Sequence, residues 1–104
     1  MAKRIRRHLH MLKTLCQCKP KDQRTLLKAA NNDLINAVCD CVTNIVYGRI
    51  PITKTQKRRL SRRKKVWRDL ADPTKTTKKK RQLLVQHGAG LLELLLKPPL
   101  SVLF

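Results

Sequence analysis

Apolar residues recur at helical spacing through the first third of the chain. The first stripe consists of Ile5, Leu9, Leu12 and Cys16, which follow one another at intervals of three or four positions. The basic residues of this segment lie mostly elsewhere. This pattern predicts an amphipathic helix over residues 3–16. Pro20 predicts a break after it. A second helix is expected over residues 21–30, with Leu26, Leu27 and Ala30 turned inward.

The most apolar helical pattern covers residues 33–47. Its inward positions are Leu34, Val38, Val42 and Ile45, widened by Ile35, Cys39 and Val46. Asp33 is a candidate N-cap, and Gly48 is a typical C-terminal stop. We therefore expect this helix to form the centre of the core.

The second half predicts two further helices. Thr53 and Gln56 have the spacing of a capping box, which predicts a helix over residues 54–71. Its apolar side is formed by Leu60, Trp67 and Leu70. A cap at Asp72 with Pro73 at the first helical position predicts the next helix, over residues 74–87. Its late positions Leu83 and Leu84 are apolar, and Gly88 and Gly90 are expected to end it.

These elements predict an all-α fold of four or five short helices around one small core. The predicted organisation is a mobile basic N-terminal segment (residues 1–19), a basic helical domain (residues 20–88) and an apolar tail (residues 89–104). Long alternation of apolar and polar residues, typical of strands, is missing from the sequence. A length of 104 residues allows one small domain.

The segments of the chain differ in net charge. The chain carries 25 Lys and Arg against 6 Asp and Glu, a net charge of +19. Residues 1–48 hold 9 basic and 3 acidic side chains, residues 49–82 hold 15 and 2, and residues 83–104 hold 1 and 1. A charge of this size repels itself, and a polyanion would remove that repulsion. The balance favours a nucleic-acid-binding protein.

The candidate phosphate-binding residues lie in the two predicted helices of the second half. They are Lys54, Lys57, Arg58, Arg59, Arg62, Arg63, Lys64, Lys65, Arg68, Lys75, Lys78, Lys79, Lys80 and Arg81. Solvated helices usually mix charges of both signs, whereas helix 54–71 has Asp69 as its one acid. Aromatic residues, on which single-strand binders stack bases, are scarce. Neutralisation of the phosphate backbone of a duplex needs no aromatic residues.

The remaining polar residues do not indicate catalysis or a metal site. The cysteines form two Cys-x-Cys pairs, Cys16 with Cys18 and Cys39 with Cys41. This spacing differs from the usual zinc modules, and positions i and i+2 of a helix point apart. We expect a small buried side chain at Cys39 and partly exposed thiols at the other three, with no metal and no cofactor. Three histidines without a suitably spaced acid do not suggest an enzyme.

Four blocks of the sequence resemble the small basic reading frames of adintoviruses and Maverick/Polinton-type elements, which are adenovirus-like double-stranded DNA entities. The blocks are residues 33–36, residues 50–53 with Gln56, Lys57 and Leu60, residues 70–72, and residues 78–86. The resemblance covers about residues 9–92. Those frames are similar to the small adenovirus core proteins that condense the packaged genome. The resemblance therefore implies a DNA-binding protein of the virion and host nucleus, with capsid proteins as further partners.

The segment from Gln86 to Gly90 is where the chain departs from those frames, which carry a Gly-Gly and an aromatic-aliphatic patch there. It is instead similar to the x-Gly-x-Gly pattern cut by adenovirus-type maturation proteases. Cleavage between Ala89 and Gly90 would separate a basic body from an apolar peptide. The alternative interpretation is a plain helix stop.

The function expected from these patterns is sequence-independent binding and condensation of double-stranded DNA. Two alternatives stay open. One is a regulator whose helix 54–71 reads the major groove. The other is a membrane or capsid-interaction peptide that acts through residues 1–16 and 91–104. A small-molecule substrate is not expected, and the sequence does not decide the oligomeric state or the choice between DNA and RNA.

Overall fold

The protein is helical throughout the part that the computed structural model describes, residues 2–47 and 53–88, apart from the side chains of Ala2, Cys16, Gln56, Arg59 and Leu60. The helices are α1 (Ala2–Arg7), α2 (Leu9–Gln17), α3 (Pro20–Ala29), α4 (Asn32–Val46), α5 (Lys54–Ser61) and α6 (Lys64–Ala71). A last helix, α7, covers residues 77–88 and reaches the limit of the described part. The all-α fold is confirmed.

Helix α4 lies at the centre of the core, as predicted. Helices α1 and α6 both pack on it. Its buried residues are Leu34, Ile35, Ala37, Val38, Cys39, Cys41, Val42 and Ile45. A helix that is apolar on one face alone could not bury so many positions, so α4 needs neighbours on several sides. Val46, expected to widen the stripe, is instead 40% exposed at the end of α4.

The N-terminal helices belong to this same core, which differs from the expected mobile segment. Ile5, Leu12 and Leu15 are each at most 1% exposed. The predicted single helix is broken by a turn at His8, whose Nε2 donates to Asp33 Oδ2 over 2.6 Å. Leu15 also faces inward in α2, three residues after Leu12, although the predicted stripe did not include it.

Helix 54–71 is likewise broken, into α5 and α6, at residues 62–63. Arg63 has φ −131° and ψ 44°, outside the helical region. A straight helix would place the cations at residues 58, 59, 62, 63, 64 and 65 in repeated i,i+3 and i,i+4 contact, which is repulsive. The break separates these charges, and Trp67 and Leu70 of α6 still reach the core.

Two predicted caps are wrong in detail. Asn31, and not Asp33, accepts from the backbone N–H of Leu34 at 2.8 Å and so caps α4. Asp72 Oδ1 accepts a hydrogen bond from the backbone N–H of Thr74 at 2.9 Å. This bond closes a turn, and the helix does not begin there. The cap of α7 is Thr76, whose Oγ1 accepts from the N–H of Lys79 at 3.1 Å. Both helices therefore begin at a neighbouring polar residue.

The glycines that were predicted to end helices lie at or beyond the limits of the described residues. Gly88 is buried and helical and is the last described residue of α7, so the predicted stop at Gly88 and Gly90 stays a prediction. Gly48 and Gly90 lie outside the described residues, as does the apolar tail. The described part ends too early to locate the C-terminus of α7.

Candidate nucleic-acid interface

Most of the predicted phosphate-binding side chains are exposed on α5, α6 and the start of α7. We define the cation surface by those exposed members: Lys54, Lys57, Arg58, Arg62, Arg63, Lys64, Lys65, Arg68, Lys75, Lys78 and Lys79. The side chain of Arg59 lies outside the described set. Arg63 Nη1 donates to His87 Nδ1 over 2.7 Å, which brings the end of α7 back to the start of α6. The cation surface therefore extends along adjacent helices.

Carboxylates do not neutralise this surface. All three ion pairs found among the described residues join the N-terminal helices to α4. Arg4 Nε lies 3.4 Å from Asp40 Oδ2, and Arg7 Nη2 lies 3.5 Å from Asp33 Oδ2. In the described part of residues 53–88, no side chain of the cation surface has a carboxylate oxygen within 4 Å. The positive field there remains free to act on a ligand.

The acids themselves have different electrostatic environments. The hydrogen bond from His8 lowers the pKa of Asp33, and Arg7 adds to that effect. Burial raises the pKa of Asp40 against the opposing charge of Arg4. The side-chain and backbone hydrogen bonds from Thr74 lower the pKa of Asp72. Asp72 is thus satisfied by its own turn and not by a lysine of the cation surface.

Arg81 differs from the other predicted phosphate-binding residues, because its guanidinium is hydrogen-bonded to backbone carbonyls and to Asn32 within the protein. Its Nη1 donates to the carbonyl oxygens of Leu27, at 2.9 Å, and of Ala30, and its Nη2 donates to Asn32 Oδ1 at 2.9 Å. The carbonyls at the end of α3 lack helical partners, and a cation is favourable there. Arg81 therefore holds α7 against the α3–α4 junction, and its guanidinium is occupied.

Lys80 also differs from its neighbours. It is partly buried and lines a cavity of about 280 Å³ together with Arg4 and Asp40. Its positive charge is close enough to lower the pKa of Asp40 slightly. Lys80 thus offsets part of the charge of the half-buried Asp40 carboxylate and lines this cavity.

Further exposed cations lie on or beside α1 to α3, outside the predicted phosphate-binding set. They are Lys3, Arg6, Arg7, Lys13, Lys19, Lys21, Arg24 and Lys28. The basic character of residues 1–28 is visible in the sequence, although charge is more concentrated after residue 53. Because α1 and α6 pack on the same central helix, basic side chains border the core at both.

An apolar groove lies between the end of α4 and the α5–α6 pair. It has a volume of about 340 Å³ and is lined by Ile45, Val46, Lys57, Ser61, Lys64, Trp67 and Arg68. Trp67 is 4% exposed and its Nε1 has no hydrogen-bond partner. The buried indole is not available to stack on a base.

The cysteines pack as small apolar side chains. Cys39 and Cys41 are both buried, because α4 is enclosed on more than one side, and Cys18 is partly exposed. The expectation of a partly exposed Cys41 is therefore wrong. Burial raises the pKa of Cys39 to about 12. Among the described side chains, no group of three His, Cys, Asp or Glu residues could hold a metal ion.

The remaining predicted features are only partly described. Gln86, His87 and Gly88 are helical, whereas a protease groove needs an extended strand; Ala89 and Gly90 lie outside the described residues. The helices of the described ranges are all too short or too polar to cross a bilayer.

Comparison with known proteins adds no relative. No family model, curated protein or solved structure matches this chain.

Proposed function

We propose that this protein binds double-stranded DNA without sequence preference and condenses it. The observation that carries the proposal is the uncompensated cation surface of α5, α6 and early α7. Its lysines and arginines are exposed and lack carboxylate partners in the described part of the chain. Phosphate oxygens are the natural ligands of such a surface, and their neutralisation releases counterions.

A duplex is a better ligand than a single strand for this surface. Trp67 belongs to the core, so the second half of the described chain offers no exposed aromatic platform. Base-edge reading is also weakly supported, since α5 and α6 are short and separated by a break. A recognition helix usually enters the major groove as one continuous element. Backbone contact therefore accounts for the geometry better than sequence-specific regulation does.

Condensation needs one molecule to neutralise phosphates of more than one duplex. The exposed cations of α1 to α3 provide a second basic region in addition to the cation surface. Helices α1 and α6 each pack on α4, so a single core supports both regions. The resemblance to small viral core proteins supports genome packaging as the setting, with the virion and host nucleus as the location.

The test is a binding titration with two unrelated duplexes and one single strand over a salt series. We expect equal affinity for the duplexes and a steep linear fall of log affinity with log salt concentration. A protein with about six to ten phosphate contacts loses roughly 10³–10⁵ in affinity between about 50 and about 200 mM salt. Light scattering of the duplex at low salt reports condensation. A duplex affinity that ignores salt would refute the proposal.

A matched pair of variants locates the contact. Lys64→Gln/Lys65→Gln removes two charges from the cation surface, and we expect the salt slope to fall by about 2. Lys13→Gln/Lys21→Gln removes the same charge from exposed positions on α2 and α3. It should change duplex affinity less but weaken condensation. Equal effects of the two pairs on affinity would show that only net charge matters.

A further inference from the structure

The apolar groove combines two properties that a phosphate-binding surface does not need. Its floor is formed by Ile45, Val46 and Trp67, and its rim carries Lys57, Lys64 and Arg68. Contact with phosphates requires the cations of the rim, whereas the apolar side chains of the floor contribute nothing to it. Ile45 and Trp67 are buried in this floor, whereas Val46 is 40% exposed and costs free energy in water unless something covers it.

We propose that the groove binds an acidic amphipathic helix of a partner protein, and that this helix competes with DNA. The competition rests on the proposed DNA binding, whereas binding of the helix does not. Such a ligand places apolar side chains three or four residues apart on one face, with Asp and Glu beside them. Its apolar face would cover the floor and its carboxylates would meet the rim.

The apolar residues of the groove include two at the end of α4. Val46 is 40% exposed although it continues the apolar stripe of the central helix. The neighbouring Ile45 is buried, and the cavity beside both residues has a volume of about 340 Å³. Ligand sites typically start near about 300 Å³, so the groove can take apolar side chains of a bound helix.

The charged residues of the groove are the three cations of its rim. Lys64 and Arg68 are one turn apart on α6, and Lys57 of α5 lines the same groove. No carboxylate lies within 4 Å of them among the described residues. The chain's own apolar tail has one acid and one base, Glu93 and Lys97, and so lacks matching charge. Charge complementarity therefore favours a separate acidic segment.

Competition follows from shared atoms. Lys57, Lys64 and Arg68 belong both to the rim and to the cation surface, and an ammonium or guanidinium group paired with a carboxylate is lost to a phosphate. An acidic helix in the groove would thus lower DNA affinity, which gives a packaged or loaded state a route of release.

The experiment follows the fluorescence of Trp67, the single tryptophan of the full chain. The probe is a peptide of about three helical turns. It carries Leu and Phe on one face, Asp and Glu on both flanks, and no Trp or Tyr. One control peptide replaces the acids by Asn and Gln, and another replaces Leu and Phe by Ser. We expect a saturable change in Trp67 emission with the probe alone, and at least about tenfold weaker binding of each control.

Variants separate the groove from the DNA surface. Val46→Ser changes an exposed floor position and should weaken the peptide but not the duplex. Lys78→Glu/Lys79→Glu lies outside the groove lining and should weaken the duplex but leave the peptide within about threefold. In a mixed titration, the probe should release a labelled duplex from the wild-type chain.

The outcomes distinguish the two proposals. Absence of a saturable Trp67 signal with the full chain overturns the groove, including the case in which the chain's own tail already fills it. Equal binding of the probe and its uncharged control also overturns it, because the rim then plays no part. A chain that binds the probe but no duplex refutes the proposed DNA function and leaves the groove supported.

Discussion

Arg81→Met tests whether this cation stabilises the fold or binds DNA. The guanidinium donates to the carbonyl oxygens of Leu27 and Ala30 and to Asn32 Oδ1, which joins α7 to the α3–α4 junction. Methionine approximates the unbranched aliphatic stem of arginine, lacks the guanidinium and so removes all of these hydrogen bonds. We therefore expect a loss of stability and little loss of DNA affinity.

The size of the loss follows from the contacts of Arg81. Each hydrogen bond from a charged donor contributes about 1.5–3 kcal/mol where water is excluded. The side chain is only partly buried, so screening reduces the set to about 2–3 kcal/mol in total. In a domain of this size about 1 kcal/mol shifts Tm by about 4–8 °C, so Tm should fall by roughly 10–20 °C.

The assay is urea unfolding followed by Trp67 fluorescence, with duplex binding measured where every variant is folded. Lys79→Met is the matched control, since it removes the same charge from an exposed position in the preceding turns of α7. It should leave stability within about 0.5 kcal/mol and weaken DNA binding. Arg81→Lys keeps the charge but not the planar fork, and should recover only part of the stability.

Two results would refute this reasoning. If Arg81→Met unfolds within about 0.5 kcal/mol of the wild-type chain, the contacts to α3 and Asn32 do not stabilise the fold. If Arg81→Met and Lys79→Met weaken duplex binding equally at unchanged stability, Arg81 belongs to the cation surface after all.

Four further predictions concern the core, its acids and its thiols. Leu12→Ala should cost about 2–4 kcal/mol in urea unfolding, whereas an N-terminal segment outside the core would give a value near zero. Asp33→Asn should lower stability at pH 7, because the lowered pKa of Asp33 stabilises the fold until the pH falls below about 4. Asp40→Asn should be neutral or stabilising in the same unfolding series, because burial raises the pKa of that carboxyl. A thiol reagent followed by mass spectrometry should modify Cys18 before Cys39 in the folded chain, and equal rates would contradict the burial of Cys39.

Local patterns in the sequence were sufficient for the helical class and for the central helix. The stripe of α4 and the inward positions Trp67 and Leu70 are buried as expected. Hydrophobic periodicity predicts such positions well, because burial of one helix face depends mainly on residues within a few turns. The start of α5 at Lys54 likewise follows from the residues just before it.

At the breaks within two predicted helices, a residue contacts a partner distant in sequence. His8 contacts Asp33 at a separation of 25 residues, and Arg63 contacts His87 at a separation of 24. No local pattern contains those partners. The continuous stripe of residues 3–16 was compatible with one helix, and tertiary contacts instead supported a turn within it.

Within the candidate site, sequence alone treated every cation of residues 54–81 alike. Whether a given lysine or arginine faces solvent depends on the acceptors that the fold brings to it. Arg81 reaches carbonyl oxygens 51 and 54 residues away, so its structural role could not be read from its basic neighbours. For the same reason, the sequence alone did not single out the exposed cations of α1 to α3. It also did not predict that Cys41 of α4 is buried.

The distribution of carboxylates explains how a chain of charge +19 both folds and keeps a surface for a polyanion. Asp33 and Asp40 lie two turns apart on α4, both facing α1, and they offset the charge of Arg4 and Arg7 where the N-terminal helices join the core. Repulsion is therefore reduced where helices must pack. In α5, α6 and early α7 the described cations receive no such compensation, so their repulsion is relieved only by a ligand. A bound polyanion that neutralises them also removes a cost of folding, so that DNA binding and stability are linked.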